Sequence, residues 1–196
     1  MAITGQTLRL SECEPLDQYE RCTFVAEDLP AHVSDVTFDR CVFAPDQVRN
    51  DFVNVTWTHC DLANIDFSGA KFGGCTLADC RLLGADFSGA MFVETKFANC
   101  PAQLVNFAEA TLRKSHFQGC DLTDATFQAV VARTKLAFEA CKLTGCDLTG
   151  TVLKNWDISR AEFDQLQLDP TLMAGLTIAP WQAAMLIGIF GVKVRQ

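Results

Sequence analysis

The sequence predicts an all-β coil of square cross-section, and three observations lead there. Seven cysteines, Cys22, Cys41, Cys60, Cys80, Cys100, Cys120 and Cys141, follow one another at gaps of 19, 19, 20, 20, 20 and 21 residues. Beneath this beat a large apolar residue recurs every fifth position, as in Phe52, Trp57, Leu62, Phe67, Phe72, Leu77, Leu82, Phe87 and Phe92, and from there to Phe127 only Ala102 breaks the run. Two positions before each stands a mostly small residue, such as Cys75, Ala85, Ala90, Thr95 or Ala125. A helix requires apolar residues every three or four positions and a flat strand every second. A period of five nested in a period of 20 describes a chain that turns a corner once per pentapeptide and closes a coil after four.

In such a coil, residue i+20 lies above residue i, and the backbone groups of each coil are satisfied by its neighbours at the strand spacing of roughly 4.8 Å. Every twentieth residue then forms a column. Phe67, Phe87, Phe107 and Phe127 make one; Phe52, Phe72, Phe92 and Leu112 make another; the cysteines make a third, leading to Leu62 and Leu82. Stacked rings add about 0.5–1.5 kcal/mol per pair beyond burial. Small residues two places before the large ones leave room for them inside a narrow coil.

Residues 1–21 are poorly patterned and are expected to form an irregular first coil or cap that covers an open strand edge. The repeat proper runs over residues 22–168. From Phe24 to Phe38 and from Phe43 to Trp57 the spacing is 14 rather than 15, with Pro30 and Pro45 in those intervals, where a missing donor is tolerated at a corner. Between Phe127 and Phe138 one extra residue enters, expected as a bulge near Ala129 to Arg133. The beat resumes with Phe138, Leu143, Leu148, Leu153, Ile158, Phe163 and Leu168, and its end is placed there.

Residues 169–196 form a separate tail. Asp169 and Pro170 can open a short turn or helix. Pro180 starts a second helix through WQAAMLIGIF, with Gly191 as its stop. Val192 and Val194 flank Lys193 as a short terminal strand. A helix apolar all round needs a cover, and the simplest is a second copy, giving a two-fold dimer through Pro180, Trp181, Ala184, Met185, Leu186, Ile189, Phe190, Val192 and Val194. Residues 170–192 carry no charge and are long enough to span a bilayer. Pro180 in mid-span, Gln182, two threonines and three glycines argue against a membrane anchor.

Acid is concentrated early. The net charge of −8 divides as ten acids against four arginines in residues 1–51 and 14 acids against 12 bases in the rest. A solvated outer face that keeps an apolar rod soluble explains this plainly; an acidic tip that meets a basic partner is the sharper alternative. The candidate acidic surface comprises Asp28, Asp35, Asp39, Asp46, Asp51, Asp61, Asp66 and Asp86. No basic patch is evident, which argues against direct binding of nucleic acid. Catalytic, cofactor and metal sites are not expected. His32, His59 and His116 are scattered, no glycine-rich phosphate loop is present, and a column of thiols lacks the tetrahedral convergence of a zinc site. The cysteines are read as reduced, buried fillers, and with no secretory signal in MAITGQTLRLSEC a cytoplasmic location is expected.

Segments CDLAN (60–64), IDFSG (65–69), ADFSG (85–89), CDLTD (120–124) and CDLTG (146–150) resemble the A(D/N)Lxx motif of pentapeptide repeat proteins, which form right-handed quadrilateral β-helices. The tail LDPTLMAGLTIAPWQAAMLIGIFGVKV is similar to the ending of the members that protect type II topoisomerases, the Qnr quinolone-resistance type and the mycobacterial MfpA type. The resemblance implies a C-terminal dimer whose long acidic rod stands in for duplex DNA before DNA gyrase or topoisomerase IV. It departs from some members in lacking long inserted loops.

One magnitude tempers the mimicry. About eight coils make a rod of roughly 40 Å, and duplex DNA of that length carries about 23 charges. The chain carries −8 in total, so shape and local acidic patches must supply the likeness. The competing expectation is a scaffolding repeat protein that offers a flat face to an unrelated partner.

Overall fold

In the structure, a computed structural model, residues 1–47 and 49–193 are described, apart from the side chain of Phe190. The chain winds as the square coil that the repeat predicts. Short strands of two to four residues stack in parallel from coil to coil. Each face takes the name of one inward residue. The Trp57 face is a nine-stranded parallel sheet from Ala2–Thr4 to Trp156–Asp157. The Phe72 face is a six-stranded sheet from His32–Ser34 to Val131–Ala132. The Leu62 face begins as a three-stranded sheet of Thr7–Leu8, Thr23–Phe24 and Val42–Phe43; above it, and on the Phe67 face, the pairing thins to single bridges, such as Asp61↔Arg81 and Asp66↔Asp86.

The corners are made by left-handed residues, including Asn54, Asp79, Asn99 and Lys114, at φ of 53–54°. Asn and Asp tolerate this conformation best after glycine. At Gly84 the requirement is doubled: φ is +65°, and a Cβ there would lie 2.6 Å from the Asn64 Oδ1 of the coil below.

Stacking register follows the cysteine spacing. The first coil is short, with Ala2 over Gln18. Later coils advance by 19 residues, as in Gln18↔Thr37 and Val42↔Asp61. By Asp46↔Asp66 the offset is 20, so the shortened corner lies between Val42 and Asp46, at Pro45. Residues 1–21 are thus a true first coil, closed from below by buried Leu10. The inserted residue lies after Ala132 and not within residues 129–132: Leu112↔Ala132 still spans 20, whereas Phe117↔Phe138 spans 21. The sequence hides it because Ala132 occupies a large-residue position and Leu136, buried, a small one.

The interior is continuous. Phe67, Phe87, Phe107 and Phe127 stack at centroid separations of 5.0–5.2 Å with planes within 15°. Rings of neighbouring columns meet them edge-on, as Phe107 meets Phe117 at 5.5 Å. The column ends below at Gln47, which is buried and bonded to the Ala44 carbonyl and Asn50, while Asn50 accepts from the Ala31 amide. This side-chain network occupies the irregular coil where the ladder is incomplete.

All seven column cysteines are buried and unbridged. They are more than fillers, because each thiol donates to a main-chain carbonyl: Cys41 Sγ lies 3.1 Å from Tyr19 O and Cys100 Sγ 3.4 Å from Leu77 O. Thr95 and Thr151 do the same with their hydroxyls in two other columns of small inward residues. Burial pushes the Cys75 thiol up to about 11 and the Cys146 thiol up to about 12, so both are protonated at neutral pH.

The coil does not end at Leu168. The beat continues through Met173 and Ile178, both half-buried, and Asp157 still pairs with Thr177. Asp169 does not cap the short 3-10 turn Pro170–Leu172; its carboxylate accepts instead from the Gly150 amide at 2.7 Å. Helix α1 (Pro180–Ile187) then folds over the open end. Gln182, fully buried, ties it down by donating to Ile158 O and Ala161 O and accepting from the Ala179 amide.

Candidate partner-binding faces

The square coil separates charges that are mixed in the sequence. On the Phe67 face, Asp46, Asp66 and Asp86 stand directly above one another, continued by Asn106 and, further up, Asp147. Glu109 adds a corner carboxylate on that face. Arg49 is its only cation among the described residues. The carboxylates are held in place locally: Asp66 and Asp86 each accept from the amide two residues on, Ser68 and Ser88, at 2.8 Å. Asn106 makes the same turn with Ala108 and also donates to Asp86 at 2.9 Å.

The eight candidate acids therefore do not form one surface. Asp46, Asp66 and Asp86 come together on the Phe67 face, where Asp28 lines a hollow of about 230 Å³ with Asp46 and Arg49. Asp61 lies on the Leu62 face, paired with Arg81 at 3.0 Å. Asp35 and Asp51 lie on the Phe72 face. Asp39, on the Trp57 face, is engaged by Arg40, by His59 at 2.9 Å and by Thr58 at 3.0 Å. Glu109 and Asp147, absent from the candidate set, belong to the acidic face. The twenty-residue period, applied to outward residues as well as inward ones, is the signal that finds them.

Two histidines that stand apart in the sequence meet carboxylates one coil away, His59 with Asp39 and His32 with Asp51 at 3.3 Å. Neither histidine has a nucleophilic side chain bonded to its other ring nitrogen among the described residues. Among the described residues no group of three or more metal-ligating side chains is positioned to hold an ion.

Several aspartates carry acid-sensitive stability. Burial tends to raise the Asp147 carboxyl, but the amide and hydroxyl of Thr149, at 2.9 and 2.7 Å, and Gln128 outweigh it and hold it below the usual range. Asp157 is lowered likewise, against burial, by Lys135 at 2.8 Å and by Ser159. A carboxyl lowered in the folded state stabilises above its unfolded pKa of about 3.9 and ceases to do so as pH falls through the folded value. The urea midpoint is therefore expected to stay level from pH 7 to about pH 5 and to fall below about pH 4, with a shallower fall in Asp147→Asn. A midpoint still level at about pH 3 would contradict this assignment.

The expectation of no basic patch is corrected by the Phe72 face. Its C-terminal half carries Arg113, Lys114, Arg133 and Lys154, all exposed, with Lys135 at the adjoining corner. They are spread over some forty residues of sequence and meet only through coil stacking.

At the C-terminal end the apolar surface is divided. Leu186 is 3 % exposed and belongs to the chain's own core, so it is removed from the dimer set. Pro180, Trp181, Ala184 and Ile189 remain exposed, Met185 is half-buried, and Ile187 joins them. Val192 is exposed and not in a strand; Val194 and the Phe190 side chain lie outside the described residues. Trp181 and Met185 border an open groove of about 710 Å³ against the last coils. Among the described residues no helix is long and apolar enough to cross a membrane.

The family model described as pentapeptide repeat region matches residues 50–127, and that described as pentapeptide repeats matches residues 137–169. No curated protein matches the chain by sequence. Among solved structures, a trypsin-treated point variant of QnrB1, a plasmid-mediated fluoroquinolone resistance protein, aligns over 100 % of this chain and 98 % of its own, with 19 % identity and a TM-score of 0.50. HetL, a pentapeptide repeat protein involved in heterocyst differentiation regulation from the cyanobacterium Nostoc sp. strain PCC 7120, aligns over 91 % and 83 % with 14 % identity and a TM-score of 0.38.

Proposed function

The chain belongs to the pentapeptide repeat family, and from that premise we propose that it is a DNA-mimicking protein of the quinolone-resistance type, binding DNA gyrase or topoisomerase IV through its Phe67 face. The observation that carries this reading is the ladder Asp46–Asp66–Asp86 on a face almost free of cations. Over that stretch a carboxylate recurs about every 4.8 Å, approaching the one phosphate per roughly 3.4 Å of a single DNA strand. Averaged over the whole rod, the charge density is about a third of DNA's; the three successive rungs Asp46, Asp66 and Asp86 exceed that average locally and support mimicry of one side of a duplex. The role is one of binding and not of catalysis.

Purified protein is expected to inhibit supercoiling by gyrase at micromolar concentration and to form a complex that linear duplex DNA displaces. Unaffected supercoiling with no detectable complex would overturn the proposal, and capture of an unrelated protein in its place would favour a scaffold.

The rod is proposed to act as a two-fold homodimer through Trp181, Met185, Ile187 and Ile189. Trp181 is 54 % exposed on α1, a helix without charged residues at the end of the rod, a position at which an apolar helix calls for a second copy. Trp181→Glu is expected to sediment as a monomer. An unchanged dimeric profile in that variant, or a monomeric wild type, would contradict the assignment.

A further inference from the structure

The basic half of the Phe72 face is built differently from the rest of the surface. Arg113 and Arg133 occupy equivalent outward positions on successive coils, with Arg133 bonded through its amide to Leu112 O, and Lys154 takes that position in the next coil. None of these three has a carboxylate within ion-pairing distance among the described residues; Glu94 is taken by Lys114 at 2.8 Å and Asp157 by Lys135 at 2.8 Å. Like charges facing one another across a ladder are destabilising. The Leu62 face avoids this, alternating Asp61 with Arg81 and Asp121 with Lys142, whereas like charges of the opposite sign stack in the Asp46–Asp66–Asp86 ladder of the Phe67 face.

Beside the cation column runs an apolar one. Val131 and Val152, two residues back from Arg133 and Lys154, are 42 % and 57 % exposed, and Met91, 46 % exposed, stands two rungs below Val131 with Thr111 between them. The one inserted residue of the upper coils also falls here, after Ala132, and bulges of this kind re-aim side chains at functional surfaces.

We propose that this half-face is a second docking surface, for a protein segment bearing both carboxylates and apolar side chains. Carboxylates would answer Arg113, Arg133 and Lys154, and apolar side chains would cover Met91, Val131 and Val152. Duplex DNA fits less well: a phosphate backbone leaves the apolar side chains uncovered, and a rigid duplex along the rod would run past Asp35, Asp51 and Glu94 of the same face, a stretch in which Lys71 is the one lysine or arginine among the described residues. The surface is distinct from the Phe67 face and does not depend on the topoisomerase reading.

The test uses the full-length protein and a labelled peptide of about a dozen residues alternating Glu with Val, beside an all-Glu peptide of the same length and a duplex of about 20 base pairs, with binding read by fluorescence anisotropy. The alternating peptide is expected to bind saturably, more tightly than either other probe, and more weakly as salt is raised. Arg133→Glu should weaken it by about tenfold or more while leaving the melting temperature unchanged or higher, because the new carboxylate would separate Arg113 from Lys154. Arg133→Gln should weaken it less, and Val131→Ser together with Val152→Ser should remove the preference over the all-Glu peptide. No saturable binding, tighter binding of the duplex, or equal affinity in folded Arg133→Glu would overturn the proposal.

Discussion

Phe107→Ala is expected to cost about 3–5 kcal/mol, lowering the melting temperature by on the order of 10 °C for a chain of this size. The ring is fully buried, stacked on Phe87 at 5.2 Å and Phe127 at 5.0 Å, with edge contacts to Phe97 and Phe117 at 5.6 and 5.5 Å. Both neighbouring coils lose a stacking partner at once, and a solenoid is held together by such nearest-neighbour contacts. The narrow interior, fixed by the main-chain ladder, cannot close over the space. Phe107→Leu retains most of the burial and loses mainly the stacking, so its cost should be nearer about 1–2 kcal/mol. Thermal unfolding followed by circular dichroism separates the two. A shift of only a degree or two in Phe107→Ala would mean that the column does not bind the coils together.

Gln182→Met is expected to release α1 from the rod. Gln182 satisfies two carbonyls, Ile158 O and Ala161 O, each at 2.8 Å, and the Ala179 amide at 2.7 Å, inside a site closed to water. Methionine matches its volume and supplies none of the bonds. Orphaned buried groups cost about 1–3 kcal/mol each, and undocking is the route by which water reaches them. Hydrogen exchange should show the α1 amides unprotected while the Trp57-face strands keep wild-type protection. Proteolysis should cut the chain after Ile178. If α1 stays as protected as in wild type, the glutamine is not what anchors it.

The columns of the interior were legible in the sequence because burial imposes a strict period: Phe67, Phe87, Phe107 and Phe127 each had to face inward, and the structure places them so. The period failed as a guide where packing compensated. Ala132 and Leu136 exchange large and small roles and so masked the inserted residue. Met173 and Ile178 keep the beat, but the glycine- and threonine-rich outer positions around them looked like the start of a tail. Leu186 reads from the sequence as an interface residue because amphipathicity cannot say whether an apolar helix face is covered by its own rod or by another. Charges were legible only as totals. The N-terminal excess of acid was plain, yet no inward period constrains an outward residue, so the acidic ladder and the basic column emerged only when coil stacking fixed who stands above whom.

The measurement that bears most directly on the central claim compares two triple variants in binding to DNA gyrase. In the first, Asp46, Asp66 and Asp86 become asparagine. Asn106 already occupies the next rung of that column and keeps the turn, accepting from the Ala108 amide at 2.9 Å, so the fold should be preserved. In the second, Asp39, Asp79 and Glu139 of the opposite Trp57 face become amides, removing the same charge. The acidic-face account predicts that affinity falls by about tenfold or more in the first and by less than about twofold in the second, with inhibition of supercoiling following affinity. Equal losses in the two variants, or full affinity in the first, would contradict it.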